Sequence, residues 1–254
     1  MAKPKLVVPD DERRMTVIEH LEELRRVLII SVIAWGVATV IGFLLSGWVL
    51  NLVLVPIHKV IGNHPLYFTA PVDKFLLYFK VGIFTGFIIA SPVIIWQIWT
   101  FVAPGLHRNE RRFAVGFVLS ASALFAIGIG FAFFALPIAL RFLTSFGTSQ
   151  IEYFPLVNSY VNFVLLLIAI FGITFELPLA MTMLGLVGIV SAPFLKRHRF
   201  KFWIGIFAGA NMVTPGADPI TPSILAVALI VLFEASIIAI RLLRRPAPLA
   251  ANAT

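Results

Sequence analysis

The feature that most limits how this chain can fold is a strongly apolar run of 30 residues, Val161 to Val190, whose one charged side chain is Glu176. About 20 apolar residues in a helix cross the hydrocarbon core of a bilayer, which is about 30 Å thick. A charge at the centre of such a helix costs on the order of 3 kcal/mol. We therefore interpret the run as a membrane span and Glu176 as a functional residue.

The rest of the chain has the composition of an integral membrane protein. It is 60% hydrophobic and 13% charged over 254 residues, which is more apolar than a soluble domain. Apolar runs predict an all-α protein with six transmembrane helices, the fifth and sixth of them short: 27–45, 75–102, 113–136, 161–190, 202–213 and 224–240. The first run lacks a cleavage site and is expected to be retained.

The basic residues predict the orientation of these spans. Sixteen of the 20 Lys and Arg residues lie in the N-terminal segment, in the connections after the second and fourth spans, or in the tail. The positive-inside rule then places both termini in the cytoplasm. The chain is expected to consist of a cytoplasmic segment, 1–26, a membrane domain, 27–240, and a cytoplasmic tail, 241–254. The net charge of +8 thus reflects topology and gives no reason to expect a nucleic-acid partner.

Two spans have unusual lengths. The fourth run would measure about 45 Å as a straight helix, so it must tilt or kink, and Pro178 removes a backbone donor at a suitable place. The fifth run, 202–213, would measure only about 18 Å. It is either a short span or half of a re-entrant hairpin with the sixth.

The motifs of common catalysts are missing. The sequence has no cysteine, no phosphate-binding loop and no paired histidines at metal-ligand spacing. We expect no enzyme activity, no metal site and no cofactor. The alternative function is a proton-coupled small-solute transporter using Glu176, although such folds usually contain internal repeats, and none is evident here.

Several acidic residues have a structural as well as a functional interpretation. In "EHLEELRRVL" a helix would pair Glu22 with Arg25 or Arg26, while Glu23 would also meet the like charge of Glu19. Glu110 is suited to the first turn of the third helix. Glu176 could be a neutral side chain that is hydrogen-bonded within the bundle. The residues alone leave these alternatives open.

Four motifs, taken in chain order, resemble the TatC family, the multispan receptor subunit of the twin-arginine protein translocase. They are "HLEELR", "SPVIIWQIWTFVAPGLHRNERR", "FGITFELP" and "TPGADP". The long second motif is highly specific, and the resemblance covers nearly the whole chain.

The resemblance implies roles for particular residues. Signal-peptide binding falls on Glu23 and Glu110, with Arg25 as a neighbour in the same motif. Glu176 and Pro178 fall on the fourth helix, where the acid faces a concave, membrane-exposed groove and is expected to contact a partner. An outer-loop motif falls on Pro56, Asp73 and Asp218; Asp73 replaces a more usual Glu, and the turn of Asp218 is one residue longer than the common form.

The resemblance also implies a function. The chain would be the receptor and assembly core of the translocase, in which two carboxylates bind two adjacent guanidinium groups. Expected partners are TatA/TatB-type single-span proteins, twin-arginine signal peptides of folded cargo, the lipid bilayer and, in a homo-oligomer, further copies of the chain. Export would draw on the proton-motive force, and the protein would be a multi-pass protein of the cytoplasmic (inner) membrane.

Overall fold

The computed structural model describes residues 17–62, 64–102, 114–145, 154–214 and 218–243. Within these ranges the chain is helical, apart from turns, short connections and one isolated bridge. The helices are α1 (Val17–Ile61), α2 (Asp73–Val102), α3 (Ala114–Thr144), α4 (Val157–Thr174), α5 (Leu177–Val187), α6 (Ala192–Val213) and α7 (Ile220–Leu243). The prediction of an all-α membrane protein is confirmed.

Five spans are long and apolar enough to cross a membrane: Ile18–Ile61, Asp73–Phe101, Val115–Thr144, Val157–Leu186 and Ile220–Leu243. The expectation of a short sixth span is wrong, because α7 has 24 residues and measures about 36 Å. Its first turn, "ITPS", lies outside the predicted apolar run because it contains polar residues, yet it belongs to the helix. Helix α6 begins ten residues before the predicted fifth run, since its basic segment is helical too. The count of six spans and the orientation of the termini stay predictions.

Helix α1 is much longer than the apolar run that predicted it. It has 45 residues, about 67 Å of helix, and continues through a segment expected to be a loop. Pro56 lies inside it, where the missing N–H removes one helical hydrogen bond. Close by, the buried Tyr160 hydroxyl of α4 donates to the carbonyl of Val53 at 2.7 Å. This bond fixes the C-terminal part of α1 on α4.

Helices α1 and α2 cross at three glycines. A Cβ atom on Gly42 would overlap the carbonyl of Gly82 and lie 2.6 Å from the amide nitrogen of Gly86. A Cβ on Gly86 would in turn lie 2.5 Å from the Cα of Thr39. In membranes, where apolar side chains gain little by leaving lipid, small residues let helix backbones approach and pack. The Gly82–Gly86 spacing on α2 therefore holds the first two spans together.

The long fourth span is broken, as its length predicted. Helix α4 ends at Thr174 and α5 begins at Leu177, with Pro178 in the first turn of α5. Proline cannot donate to the residue four positions earlier, so the helix is interrupted just before it. The prediction of a kink near Pro178 is confirmed, and the interruption falls on Phe175 and Glu176.

Besides a small cluster of Trp99, Val118 and Met183 between α2, α3 and α5, two groups of buried residues hold the described helices. The larger group joins α1 to α4 with parts of α6 and α7, and its centre is an aromatic cluster in which Phe131 lies 5.5 Å from Phe175 between ring centroids. Gly128 of α3 lets the backbone of α4 approach at this level. The smaller group joins the basic end of α6 to α7: Ala192, Leu195, Phe233, Ile237 and Ile240. The end of the bundle where α6 begins therefore has a core of its own.

Replacing Gly42 with Ala is expected to lower the stability of the protein by about 1–3 kcal/mol, because the added methyl group overlaps the backbone of α2. The matched control is Gly36→Ala on the same helix, where an added Cβ meets nothing within 4 Å. Thermal unfolding of both purified variants in one detergent measures the difference. Equal melting temperatures would show that the glycine crossing does not hold α1 and α2 together.

Candidate functional site

Glu23 lies in the second turn of α1, at the end that the basic residues assign to the cytoplasm. Its side chain is 25% exposed, and one carboxylate oxygen, Oε2, is buried without a hydrogen-bond partner among the described residues. Its nearest cationic neighbour is the Nδ1 atom of His20, at 3.7 Å, which is beyond hydrogen-bond distance. Glu23 thus keeps capacity to accept hydrogen bonds from a ligand.

His20 is held by α2. Its ring stacks on that of Phe101 with centroids 4.2 Å apart and planes 12° from parallel. Phe101 is near the end of α2, just before the segment that carries Glu110. Sequence reasoning missed both aromatic residues. The three-residue spacing of His20 and Glu23, which puts them on one helix face, was a signal for the first, whereas no local pattern indicates Phe101.

Arg25 is exposed and shares a shallow cleft of about 390 Å³ with Glu22, Arg26, Ile29 and Ile30. The expected pairing of Glu22 with Arg25 or Arg26 is not formed. Within the described ranges the one ion pair joins His20 to Glu23. The arginines and Glu22 therefore face solvent as separate charges, and Glu23 lies on the α2 side of the helix. Glu110, the second predicted binding acid, lies outside the described residues.

Glu176 lies at the break between α4 and α5. Its backbone remains near helical (φ −77°, ψ −18°), and its carbonyl accepts from the amides of Leu179 and Ala180 at 3.1 and 3.0 Å. The side chain makes no capping bond to α5, and Oε1 is buried without a hydrogen-bond partner in the part of the chain that the structure describes. The structural alternative, in which that carboxyl group is bonded within the bundle, is not seen for this oxygen. The predicted partner residue Pro178 is buried beside it.

A groove of about 590 Å³ lies between α5, α6 and α7, and it is lined by residues that flank Glu176 but not by Glu176 itself. Thr174, Leu177 and Pro178 form part of one wall, and the lining is almost entirely apolar. The sequence analysis expected a concave groove at Glu176 only from the family resemblance. On α6 the spacing of Gly205 and Gly209 was a signal for an open helix face, since both glycines line the groove.

The three outer-loop residues are structural in this fold. Pro56 is buried in α1. Asp73 Oδ2 accepts hydrogen bonds from the amide and hydroxyl of Thr69 and from the amide of Ala70, at 3.1, 2.6 and 2.8 Å. Asp218 Oδ1 accepts from the amides of Ile220 and Thr221 at 3.1 and 2.7 Å and so caps α7.

The loop before α2 is also tied to the start of α4. The amide of Tyr67 donates to the carbonyl of Pro155 at 3.1 Å, the amide of Val157 donates to the carbonyl of Tyr67 at 3.0 Å, and the rings of Tyr67 and Phe154 stack. Asp73 therefore orders a loop that is fixed at both ends, and each outer-loop acid has a clear structural role.

Two other polar groups in the spans have partners. Trp203 Nε1 donates to Glu234 Oε1 at 3.2 Å, between α6 and α7. Lys80 Nζ donates to Asn162 Oδ1 at 2.6 Å, between α2 and α4. No group of three or more His, Cys, Asp or Glu residues that could hold a metal ion is found in the described part of the chain. Glu23, Glu176 and Asp218 each have a buried oxygen without a hydrogen-bond partner among the described residues, but Asp218 already caps α7 with its other oxygen. Glu23 and Glu176 are therefore the strongest candidate binding groups.

Comparison with known proteins gives a consistent result. The family model "Sec-independent protein translocase protein (TatC)" matches residues 19–227. The TatC protein of Carboxydothermus hydrogenoformans is 38% identical over 228 residues, which cover 89% of this chain and 93% of the relative. That of Aquifex aeolicus is 36% identical over 226 residues, 88% of this chain and 93% of the relative.

Solved structures agree with these relatives. A crystal structure of the twin-arginine translocase receptor TatC superposes with a TM-score of 0.74 at 35% identity, over 88% of this chain and 99% of the other. A second crystal structure of that receptor gives a TM-score of 0.75, again at 35% identity, over 87% and 98% of the two chains. The all-helical bundle, its spans and its motifs thus agree with one assignment, and the chain is a multi-pass membrane protein of the TatC family, a component of the Sec-independent, twin-arginine protein translocase.

Proposed function

We propose that this chain is the receptor and assembly core of its translocase and binds the twin-arginine signal peptides of folded cargo at the cytoplasmic face of the inner membrane. The observation that carries the proposal concerns Glu23. Its carboxylate lies near the start of α1, and one of its oxygens has no hydrogen-bond partner among the described residues. Export is driven by the proton-motive force, and both termini of the chain lie in the cytoplasm.

The chemistry of the signal suits such an acid. A guanidinium group donates two parallel hydrogen bonds to one carboxylate, and charge-assisted bonds of this kind are stronger than neutral ones. A partly buried carboxylate is a better partner than a fully solvated one, because water screens it less. Glu23 binds one arginine of the signal and Glu110 the other. Arg25 is exposed in the same turn of α1. Its positive charge forms the other boundary of this acidic site.

Glu176 serves a different partner. It lies at the break of the fourth span, where a half-buried carboxyl group, whose Oε1 has no hydrogen-bond partner among the described residues, can accept a hydrogen bond from another membrane helix. We assign it to the contact with a TatA/TatB-type single-span protein, with Pro178 keeping the helix open at that level. Several copies of the chain assemble with these partners in the receptor complex.

A proton-coupled solute transporter would use the same acid. Transporter sites combine the acid with further polar groups that hold the solute or ion. The groove beside Glu176 offers almost none, because its lining is apolar apart from Thr174, His198 and Lys201. The structure therefore favours a helix or lipid as the neighbour of Glu176 over a polar solute.

The Glu23→Gln variant tests the receptor proposal. Loss of a charge-assisted pair costs about 1.5–3 kcal/mol, so we expect a twin-arginine peptide to bind about ten- to a hundredfold more weakly. Glu22→Gln is the matched control, since it removes the same charge from an exposed neighbour. Binding of a labelled peptide to purified protein is the measurement. An equal loss for a twin-lysine peptide would contradict the specific pairing, and Glu110→Gln should behave as Glu23→Gln does.

The His20–Phe101 stack should position Glu23. An aromatic pair contributes about 0.5–1.5 kcal/mol beyond its buried area, so Phe101→Leu is expected to weaken peptide binding about two- to tenfold, while Phe101→Tyr keeps the stack and the affinity. Adding Phe101→Leu to Glu23→Gln should then cause no further loss, because coupled residues are not additive. A full additional loss in that background would show that Phe101 acts independently of Glu23.

The role of Glu176 is tested by partner retention. Interhelical hydrogen bonds in membranes contribute about 0.6–2 kcal/mol, so Glu176→Ala should weaken binding of the single-span partner about three- to thirtyfold. Glu234→Ala is the control, since Glu234 is already bonded to Trp203. Co-purification from mixed detergent solution gives the ratio. Crosslinks from position 176 that reach only lipid, with and without cargo, would refute the assignment.

A further inference from the structure

The groove between α5, α6 and α7 has the volume of a small-ligand site. It measures about 590 Å³, within the range of about 300–1,000 Å³ that is typical of such sites. A single acyl chain or a similar apolar ligand can fill this space.

The floor of the groove is open along α6. Gly205 and Gly209 both line it, and a Cβ atom added to either would meet nothing within 4 Å. The walls are apolar side chains from the neighbouring helices, among them Leu177, Leu229 and Phe233. The space therefore runs along the helix for at least one turn and offers only hydrocarbon contacts.

One end of the groove is cationic. His198 and Lys201 line it there, and Lys201 is exposed with no ion pair within the described ranges. Lys201 is also the last charged residue before the apolar run 202–213, so it marks the depth at which α6 enters the hydrocarbon. By the positive-inside rule this end faces the cytoplasmic leaflet, whose anionic lipids are attracted to basic pockets between helices.

We propose that this groove binds a phospholipid with an anionic headgroup. Its acyl chain lies along Gly205 and Gly209 between α5, α6 and α7, and its phosphate lies beside Lys201. A zwitterionic lipid fits the apolar part of the groove equally well, but its headgroup places a second positive charge near Lys201. The charge of the headgroup therefore decides which lipid binds more tightly. This site is separate from Glu23 and does not depend on signal-peptide binding.

The test uses the purified full chain in a non-ionic detergent, titrated with phosphatidylglycerol or with phosphatidylcholine of identical acyl chains. Native mass spectrometry measures the bound lipid. The wild type is expected to bind phosphatidylglycerol about fivefold more tightly, the effect of one lysine near an anionic headgroup. Lys201→Gln should remove this preference, whereas Lys196→Gln, the same change at an exposed residue outside the groove, should keep it. Equal behaviour of the two variants would overturn the headgroup assignment.

A second variant tests the acyl-chain site. Gly205→Leu places a side chain in the open space, so binding of both lipids should be lost. Gly116→Leu on α3 is the control, since its added Cβ also meets nothing within 4 Å and it lies outside the groove. Wild-type lipid binding by Gly205→Leu would overturn the proposal. If that variant does not fold, the exposed Lys201→Gln still decides the outcome.

Two other occupants are distinguished in the same system. Inorganic phosphate should not displace phosphatidylglycerol from the wild-type chain, and displacement would mean an anion site that needs no acyl chain. A photo-crosslinker at position 205 in native membranes should capture lipid. Capture of a single-span helix instead would assign the groove to a protein partner and overturn the lipid site.

Discussion

The bilayer core offers no hydrogen-bond partners to the backbone, and most of this structure follows from that constraint. Each span has to satisfy its own amides and carbonyls, so the chain crosses as helices. A break inside a span is costly unless other groups compensate for it. The break at Phe175 and Glu176 is compensated locally, because the Phe175 amide still donates to the Phe171 carbonyl at 3.0 Å and the Glu176 amide to that of Ile173 at 3.1 Å. The interruption thus places a carboxyl group inside the fourth span at little cost in backbone bonding.

The acidic residues divide by what their oxygens contact. Asp73 and Asp218 accept backbone amides and order a loop or a helix end, and Glu234 accepts from Trp203. Among the described residues, Glu23, Glu176 and Asp218 each keep a buried oxygen without a hydrogen-bond partner, but Asp218 uses its other oxygen to cap α7. An unsatisfied buried polar group is unfavourable in folding. The proposed binding of a cationic peptide at Glu23 and of a polar partner group at Glu176 would offset that cost.

The sequence predicted the all-α class, the break near Pro178 and the family, because these follow from hydropathy, one missing N–H group and motifs quoted in order. It did not predict where helices end. The predicted apolar runs end at isolated small or polar residues such as Ser46, Gly47 and Asn51, so the sequence analysis missed the continuation of α1 past Leu45 and the basic segment that begins α6 at Ala192. It also missed the His20–Phe101 stack and the Gly42 crossing, since such contacts join residues far apart in the chain. Glu176 was found because a lone charge in an apolar run is visible locally.

The length of α1 connects the candidate site at Glu23 with the rest of the helical bundle. Three contacts hold it along its length: the His20 ring on Phe101, Gly42 against α2, and the Val53 carbonyl on Tyr160. From His20 to Val53 the helix covers about 50 Å, more than the thickness of the hydrocarbon core. A peptide that binds at Glu23, as proposed, would therefore contact a helix that is fixed to α2 and α4 along its length. The basic end of α6, by contrast, packs against α7 in a separate core, whereas Ala210, Leu225 and Leu229, further along the groove, belong to the larger core. The two ends of the groove are therefore held by different parts of the bundle.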